Sequence, residues 1–300
     1  MSEPIDISHF VEVTEAIDTS ASASLRRLTR TEQAGIDVPL MAKNPILDDL
    51  LSERPIVDWL LPDFIPAGSL IALAGSPGAG KSYLCYNIAM ALASGLPVLG
   101  LRPPYPVRVL YFDCENALPD RIQYERWVWH GLQRPDLTLL SKNFSCCSFT
   151  LGGVEWVQAA ASAVQFFKPE LIIFDTTTPC CHIIDENDNA EAARVVGHIR
   201  RLMTLVSPAA ACICIKHAKV YRDSGQLTLR GAKTWEGAVD SIVYVRQGEG
   251  RPKHDGWSNI KLEPAKKRAF ALQYPITITP QKTDDDLGMI LDATPMTAKR

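Results

Sequence analysis

No two cysteines of this 300-residue sequence stand in a C-x-x-C spacing. Eight are present, but Cys146-Cys147 and Cys180-Cys181 are adjacent pairs, Cys212 and Cys214 alternate on an apolar run, and Cys85 and Cys114 flank other motifs. That placement argues against a zinc ribbon or a disulfide scaffold and for buried, reduced thiols. No apolar run approaches the roughly 20 residues of a membrane-spanning helix. The opening residues, Met1-Ser2-Glu3-Pro4-Ile5-Asp6, are acidic and carry no apolar signal core. The expectation is therefore a cytoplasmic protein without membrane contact. An excess of charge of either sign is also lacking. A net charge of -3 argues against a surface coated for nucleic acid, though not against a local basic loop or pore. Internal repeats are absent. With 46% hydrophobic and 22% charged residues, the chain has the make-up of one large globular domain or two small ones.

What the sequence does contain is organised around Gly75-Ser76-Pro77-Gly78-Ala79-Gly80-Lys81-Ser82, a G-x-x-x-x-G-K-[ST] phosphate loop. The apolar run Ser69–Ala74 before it suits a buried strand. The stretch Tyr83–Ala93 after it, free of Gly and Pro, suits a helix. Glycines let the backbone bend around phosphates and turn several N–H groups inward, and the helix N-terminus adds positive potential. Nucleotide contacts are expected along residues 75–83, Tyr83 included. Lys81 is expected on the β- and γ-phosphates, and the Ser82 hydroxyl on Mg²⁺.

Further apolar runs read as strands: Val107–Asp113, Leu171–Asp175, Cys212–Ile215 ending at Lys216-His217, and Asp240–Val245. Helices are expected from Leu118 to about Leu132, from Gly153 to Phe167 and from Asn189 to Val206. The last carries the stripe Ala192, Val195, Val196, Ile199, Leu202, Met203, Val206 at helical period. Strands alternating with helices predict an α/β fold, a mostly parallel central sheet flanked by helices. Asn259–Leu262 and Ala269–Leu272 predict a C-terminal antiparallel hairpin. Residues 1–43 and 282–300 are expected to be a disordered arm and tail around one ordered domain at 44–281.

In such a sheet ligands bind at the carboxyl ends of the strands. The phosphate loop, Glu115, Asp175 and His217 all fall at such ends. Asp175, closing an apolar strand, is placed to hold a water on Mg²⁺. Hydrolysis also needs a group that orients or deprotonates water. The position after Asp175 is Thr176, so the base must come from elsewhere, and Glu115 is the natural supplier. His217 is placed to hydrogen-bond a γ-phosphate.

This ordered set resembles the RecA-type P-loop ATPases, and more narrowly the RepA-like, DnaB-related hexameric replicative helicases. The resemblance covers roughly residues 45–275. Tyr111–Leu118 looks like the family's strand with the catalytic Glu, here Glu115. Asp175-Thr176 resembles its magnesium strand, and Asp185-Glu186-Asn187-Asp188 its acidic loop. Lys216-His217 occupies a paired-His position in which the first His is replaced. Leu229-Arg230-Gly231-Ala232 is similar to its R-G-[SA] segment, and Lys266-Lys267-Arg268-Ala269-Phe270 to its late basic hairpin. The resemblance implies ATP and Mg²⁺ as cofactors and a hexameric ring. It also implies a cation supplied in trans to the γ-phosphate, for which Arg268, Arg230 and Lys266 are the candidates. Loops after Asp175 and His217 would face a channel; the second holds Lys219, Arg222 and Arg230, which suit single-stranded DNA, while the first is acidic and argues the other way.

Three functions fit in descending order. The first is a replicative helicase acting on single-stranded DNA with a loader or other protein partner. The second is an ATPase that regulates or remodels a protein partner without unwinding DNA. The third is a small-molecule kinase, which would need no Glu115, His217 and late basic hairpin together.

Overall fold

The unbroken apolar runs become strands buried on both faces, as a parallel sheet between helices requires. The computed structural model describes residues 57–149, 155–206, 208–220, 227–231, 233–248, 259–267, 272, 274–285 and 287–295. All lie within one compact unit, Val57–Arg300. The arm expected at 1–43, the onset of order expected at residues 44–47, and Arg222 and Arg268 fall outside the described residues.

A small hairpin, β1 (Trp59–Leu61) with β2 (Ile65–Pro66), leads into β3 (Leu70–Gly75). The strands β4 (Val109–Asp113), β5 (Phe144–Cys147), β6 (Leu171–Asp175), β7 (Ala211–Val220), β8 (Leu227–Leu229) and β9 (Ser241–Gln247) follow. The parallel part runs β9-β3-β7-β6-β4-β5. From β9 the sheet continues antiparallel through β10 (Ile260–Lys267), β11 (Ile276–Lys282) and β12 (Met289–Pro295).

The first helix, α1 (Lys81–Ala93), leaves the phosphate loop and is buried at every residue except Ser82. Its sequence is apolar almost all round, which only a helix covered on all sides tolerates. Part of that cover is β12, whose Met289 carbonyl accepts from the Tyr83 hydroxyl at 2.9 Å. Next come α2 (Leu118–Gly131), α3 (Leu137–Asn143), α4 (Glu155–Phe167), α5 (Thr177–Cys180), α6 (Asn189–Thr204) and α7 (Thr234–Ala238). On α6 the predicted stripe from Ala192 to Met203 is the buried face, while the helix ends at Thr204, two residues short of Val206, and Asp188 caps its N-terminus by accepting from Ala190 N at 2.7 Å.

Three expectations change. First, β7 runs past Lys216-His217 to Val220, because β8 pairs with its extension in an antiparallel hairpin. Second, the antiparallel partner of β10 starts at Ile276, and residues 269–271 lie outside the description. Third, the tail expected to be loose after Gln281 contains β12, paired with β11 from Ile276↔Pro295 to Lys282↔Met289. All eight cysteines are free, and five are buried.

Candidate active site

The loop is shaped by two close constraints. Gly80 caps α1 with φ 84°, a left-handed conformation that glycine adopts without strain. Gly75 ends β3 against β9, where a Cβ would lie 2.4 Å from the Val245 carbonyl oxygen. Gly75→Ala should therefore destabilise the fold by about 1–3 kcal/mol through overpacking. A denaturation midpoint equal to wild type would show that β9 yields at no cost. Gln247, at the end of β9, donates from Nε2 to the Gly78 carbonyl at 3.2 Å.

Lys81 is buried, and its Nζ donates to the Ser76 carbonyl at 2.9 Å. Burial lowers its proton affinity, and the charges of Glu115 and Asp175 oppose that. Tyr83, expected among the nucleotide contacts, turns its side chain into the core against Tyr124 and Trp127.

Strand pairing sets the other groups at two levels, since Phe174 on β6 lies opposite Cys214 on β7 and His217 is therefore two residues beyond the level of Asp175. Gly75 on β3 is level with His217 on β7, and Asp113 on β4 with Asp175 on β6. Asp175 has no exposed surface. Burial, above all, pushes its carboxyl up to about 7, with the Asp113 charge adding to it, while the Tyr111 and Ser82 hydroxyls favour the charged form. Tyr111 donates to Asp175 Oδ2 at 2.7 Å. Oδ1 is buried and has no hydrogen-bond partner. An orphaned carboxylate oxygen beside a Ser hydroxyl and a phosphate loop fits a Mg²⁺ that keeps its waters and takes its remaining ligands from phosphate. Among the described residues no group of three or more His, Cys, Asp or Glu could hold a metal on its own.

Glu115 is exposed just past β4, and its Oε1 lies 4.0 Å from His217 Nε2. Burial first and the Lys81 charge second push the His217 imidazole below its ordinary range, with Glu115 opposing. A neutral ring at neutral pH follows, able to donate one hydrogen bond. Its neighbour Lys216 points to the other side of the strand, where Nζ sits 4.1 Å from the centre of the Trp235 ring. That alternation leaves His217 as the member of the pair on the site.

The basic candidates are held differently. Lys266 Nζ donates to the carbonyls of Glu236, Gly237 and Val239 at 2.5, 3.2 and 2.7 Å, closing the C-terminus of α7. Arg230 is 55% exposed, with Nε 3.0 Å from Glu186 Oε2. Arg230 is held by this one ion pair, whose Glu186 side is only 19% exposed, whereas Lys266 would have to leave three carbonyls to reach a phosphate.

Three groups escaped the sequence reading: Asp113, Tyr111 and Gln247. Asp113 is the acid that closes the β4 run, a signal equal to that of Asp175. Tyr111 and Gln247 offered none, since each acts on a residue far away in the chain.

These features were compared with known proteins. The family model described as AAA domain (AAA_25) matches residues 38–223, more than half of the chain. Among curated proteins no sequence matches. The flagellar accessory protein FlaH from Methanocaldococcus jannaschii is structurally similar, with a TM-score of 0.51 at 16% identity, covering 76% of this chain and 91% of that one. A KaiC-like protein from Pyrococcus horikoshii OT3 gives 0.50 at 13% identity, with 80% and 97% covered. With the phosphate loop, the acid-tipped strands and the family match in agreement, the chain belongs to the AAA domain family AAA_25 and is a RecA-type P-loop ATPase.

Proposed function

We propose that the chain hydrolyses ATP with Glu115 as the general base, and that it works as a ring-forming motor on single-stranded DNA, of the replicative helicase kind. The observation that carries the first part is the approach of the β4 and β7 ends to each other beside the phosphate loop. It brings Glu115 Oε1 within 4.0 Å of His217 Nε2, with the charge of Lys81 acting on that imidazole and the charge of Glu115 acting on both Lys81 and Asp175. Lys81 and the loop N–H groups would bind the phosphates, and the Ser82 hydroxyl and, through water, Asp175 would hold Mg²⁺. When bound, Mg²⁺ supplies charge that offsets the build-up on the phosphate oxygens. Glu115, open to solvent, accepts the proton of the attacking water. The neutral His217 donates toward the γ-phosphate.

The raised carboxyl of Asp175 gives this reading a pH signature. Below about 7 its oxygen carries a proton in the folded chain, and that proton competes with the cation. At limiting Mg²⁺, ATPase activity should fall as pH drops through this value, and excess Mg²⁺ should move the midpoint lower. A midpoint indifferent to Mg²⁺ would detach Asp175 from the metal.

The motor part rests on the resemblance of the ordered motifs and on an exposed Arg230 held by one ion pair. It is tested by ATPase rate with and without single-stranded DNA, alongside the mass of the assembly. Stimulation by DNA in a ring supports it. The second reading, regulation or remodelling of a protein partner, is favoured by the acidic loop beside Arg230, where Glu186 neutralises the basic side chain. It predicts turnover unmoved by DNA.

A further inference from the structure

Glu115 stands on a turn, and turns are mobile unless something fixes them. Here that something is Asp113, two residues earlier and without exposed surface. Its Oδ1 accepts from Glu115 N at 3.2 Å, Asn116 N at 2.9 Å and Asn116 Nδ2 at 3.1 Å. Its Oδ2 accepts from Asn116 Nδ2 at 3.0 Å and from the Tyr86 hydroxyl at 2.8 Å.

Oδ1 alone would suffice to close the turn, as Asp side chains commonly do. The Oδ2 bond does something else, because Tyr86 belongs to α1, the helix that begins with Lys81 and Ser82. The Tyr86 ring also stacks on Tyr111, with centroids 4.4 Å apart, and Tyr111 holds Asp175. One buried pair of tyrosines thus ties both acid-tipped strands together and joins them to the helix of the phosphate loop.

We infer that Asp113 is a positioning residue for Glu115, and that Tyr86 sets its position relative to the phosphate contacts of α1. The inference rests on the reading of Glu115 as the base. A buried carboxylate is costly unless its oxygens are fully partnered, so the arrangement has one strongly preferred geometry. Because hydrolysis depends on placing the base to within a fraction of an ångström, loosening it should lower turnover while leaving ATP binding to Lys81 and the loop.

The test is a mutant cycle on the full chain. Asp113→Asn sets an amide donor against the donors of Asn116 and Tyr86. It should reduce kcat about tenfold or more with ATP affinity within about twofold. Tyr86→Phe keeps the ring and removes the tether, together with the hydroxyl's 3.4 Å contact to Cys146 Sγ. It should reduce kcat by about three- to tenfold, and it carries the test if Asp113→Asn does not fold. In a Glu115→Gln background, followed by single-turnover release of phosphate, either change should add less than about twofold, since the group being positioned is gone. A general structural defect would lower both backgrounds equally.

Equal losses in the two backgrounds, or wild-type kcat in both variants, overturn the inference while a large Glu115→Gln loss leaves the base assignment standing. Wild-type turnover in Glu115→Gln itself overturns the base assignment, and this inference with it.

Discussion

Glu115→Gln is expected to bind ATP as well as the wild-type chain and to lose hydrolysis by roughly 10²–10⁴-fold, the usual contribution of a general base. The amide keeps the shape of the side chain, so the turn held by Asp113 stays closed. It removes the proton acceptor and one of the negative charges that help keep Lys81 protonated, with Asp175 still supplying another. Glu115 is exposed, so the substitution leaves no buried polar group unpartnered and stability should hold. Equilibrium binding of ATP and single-turnover phosphate release separate the two effects. Weakened binding with unchanged turnover of the bound fraction would place Glu115 among the phosphate contacts instead.

The second large effect tests the proposal that a neighbouring subunit supplies a cation to the γ-phosphate. Loss of a trans finger typically lowers kcat by roughly 10³–10⁵-fold with nucleotide binding retained. Arg268 and Arg230 remain the candidates; Lys266 is less suited, since it is spent on three carbonyls of its own chain. The decisive arrangement mixes two inactive proteins, Glu115→Gln and the finger variant. Some mixed interfaces then combine an intact base with an intact finger, and activity should return. A finger acting within its own subunit could not be rescued. No recovery while subunits demonstrably exchange counts against the ring and favours the protein-regulating reading.

The parts legible in the sequence were those encoded locally. Residues 75–82 carry their own turn chemistry, and Asp175 and Glu115 stood out as acids just where apolar runs stop. The parallel sheet followed from runs such as Leu171–Phe174, apolar without alternation. What stayed hidden depends on distant partners. Lys216-His217-Ala218-Lys219 reads as a polar strand end, but pairing with Leu227–Leu229 extends β7 beyond it. Met289–Pro295 has no strong pattern and becomes a strand through its pairing with β11. Lys266 looked like a free cation because its partners are the carbonyls of a short helix some 30 residues away. The role of Asp113 needed Tyr86, 27 residues earlier, to be seen opposite it.

The central claim is that the site at these strand ends hydrolyses ATP, and the most direct measurement is steady-state phosphate release by the purified chain, with and without Mg²⁺, beside Lys81→Ala. Lys81 supplies the only full positive charge within the phosphate loop itself, so its removal should abolish tight ATP binding in a folded protein. The account predicts Mg²⁺-dependent release of phosphate to water by the wild-type chain and none above background by Lys81→Ala. Equal release by both proteins, or phosphate passed to an acceptor rather than to water, would contradict it.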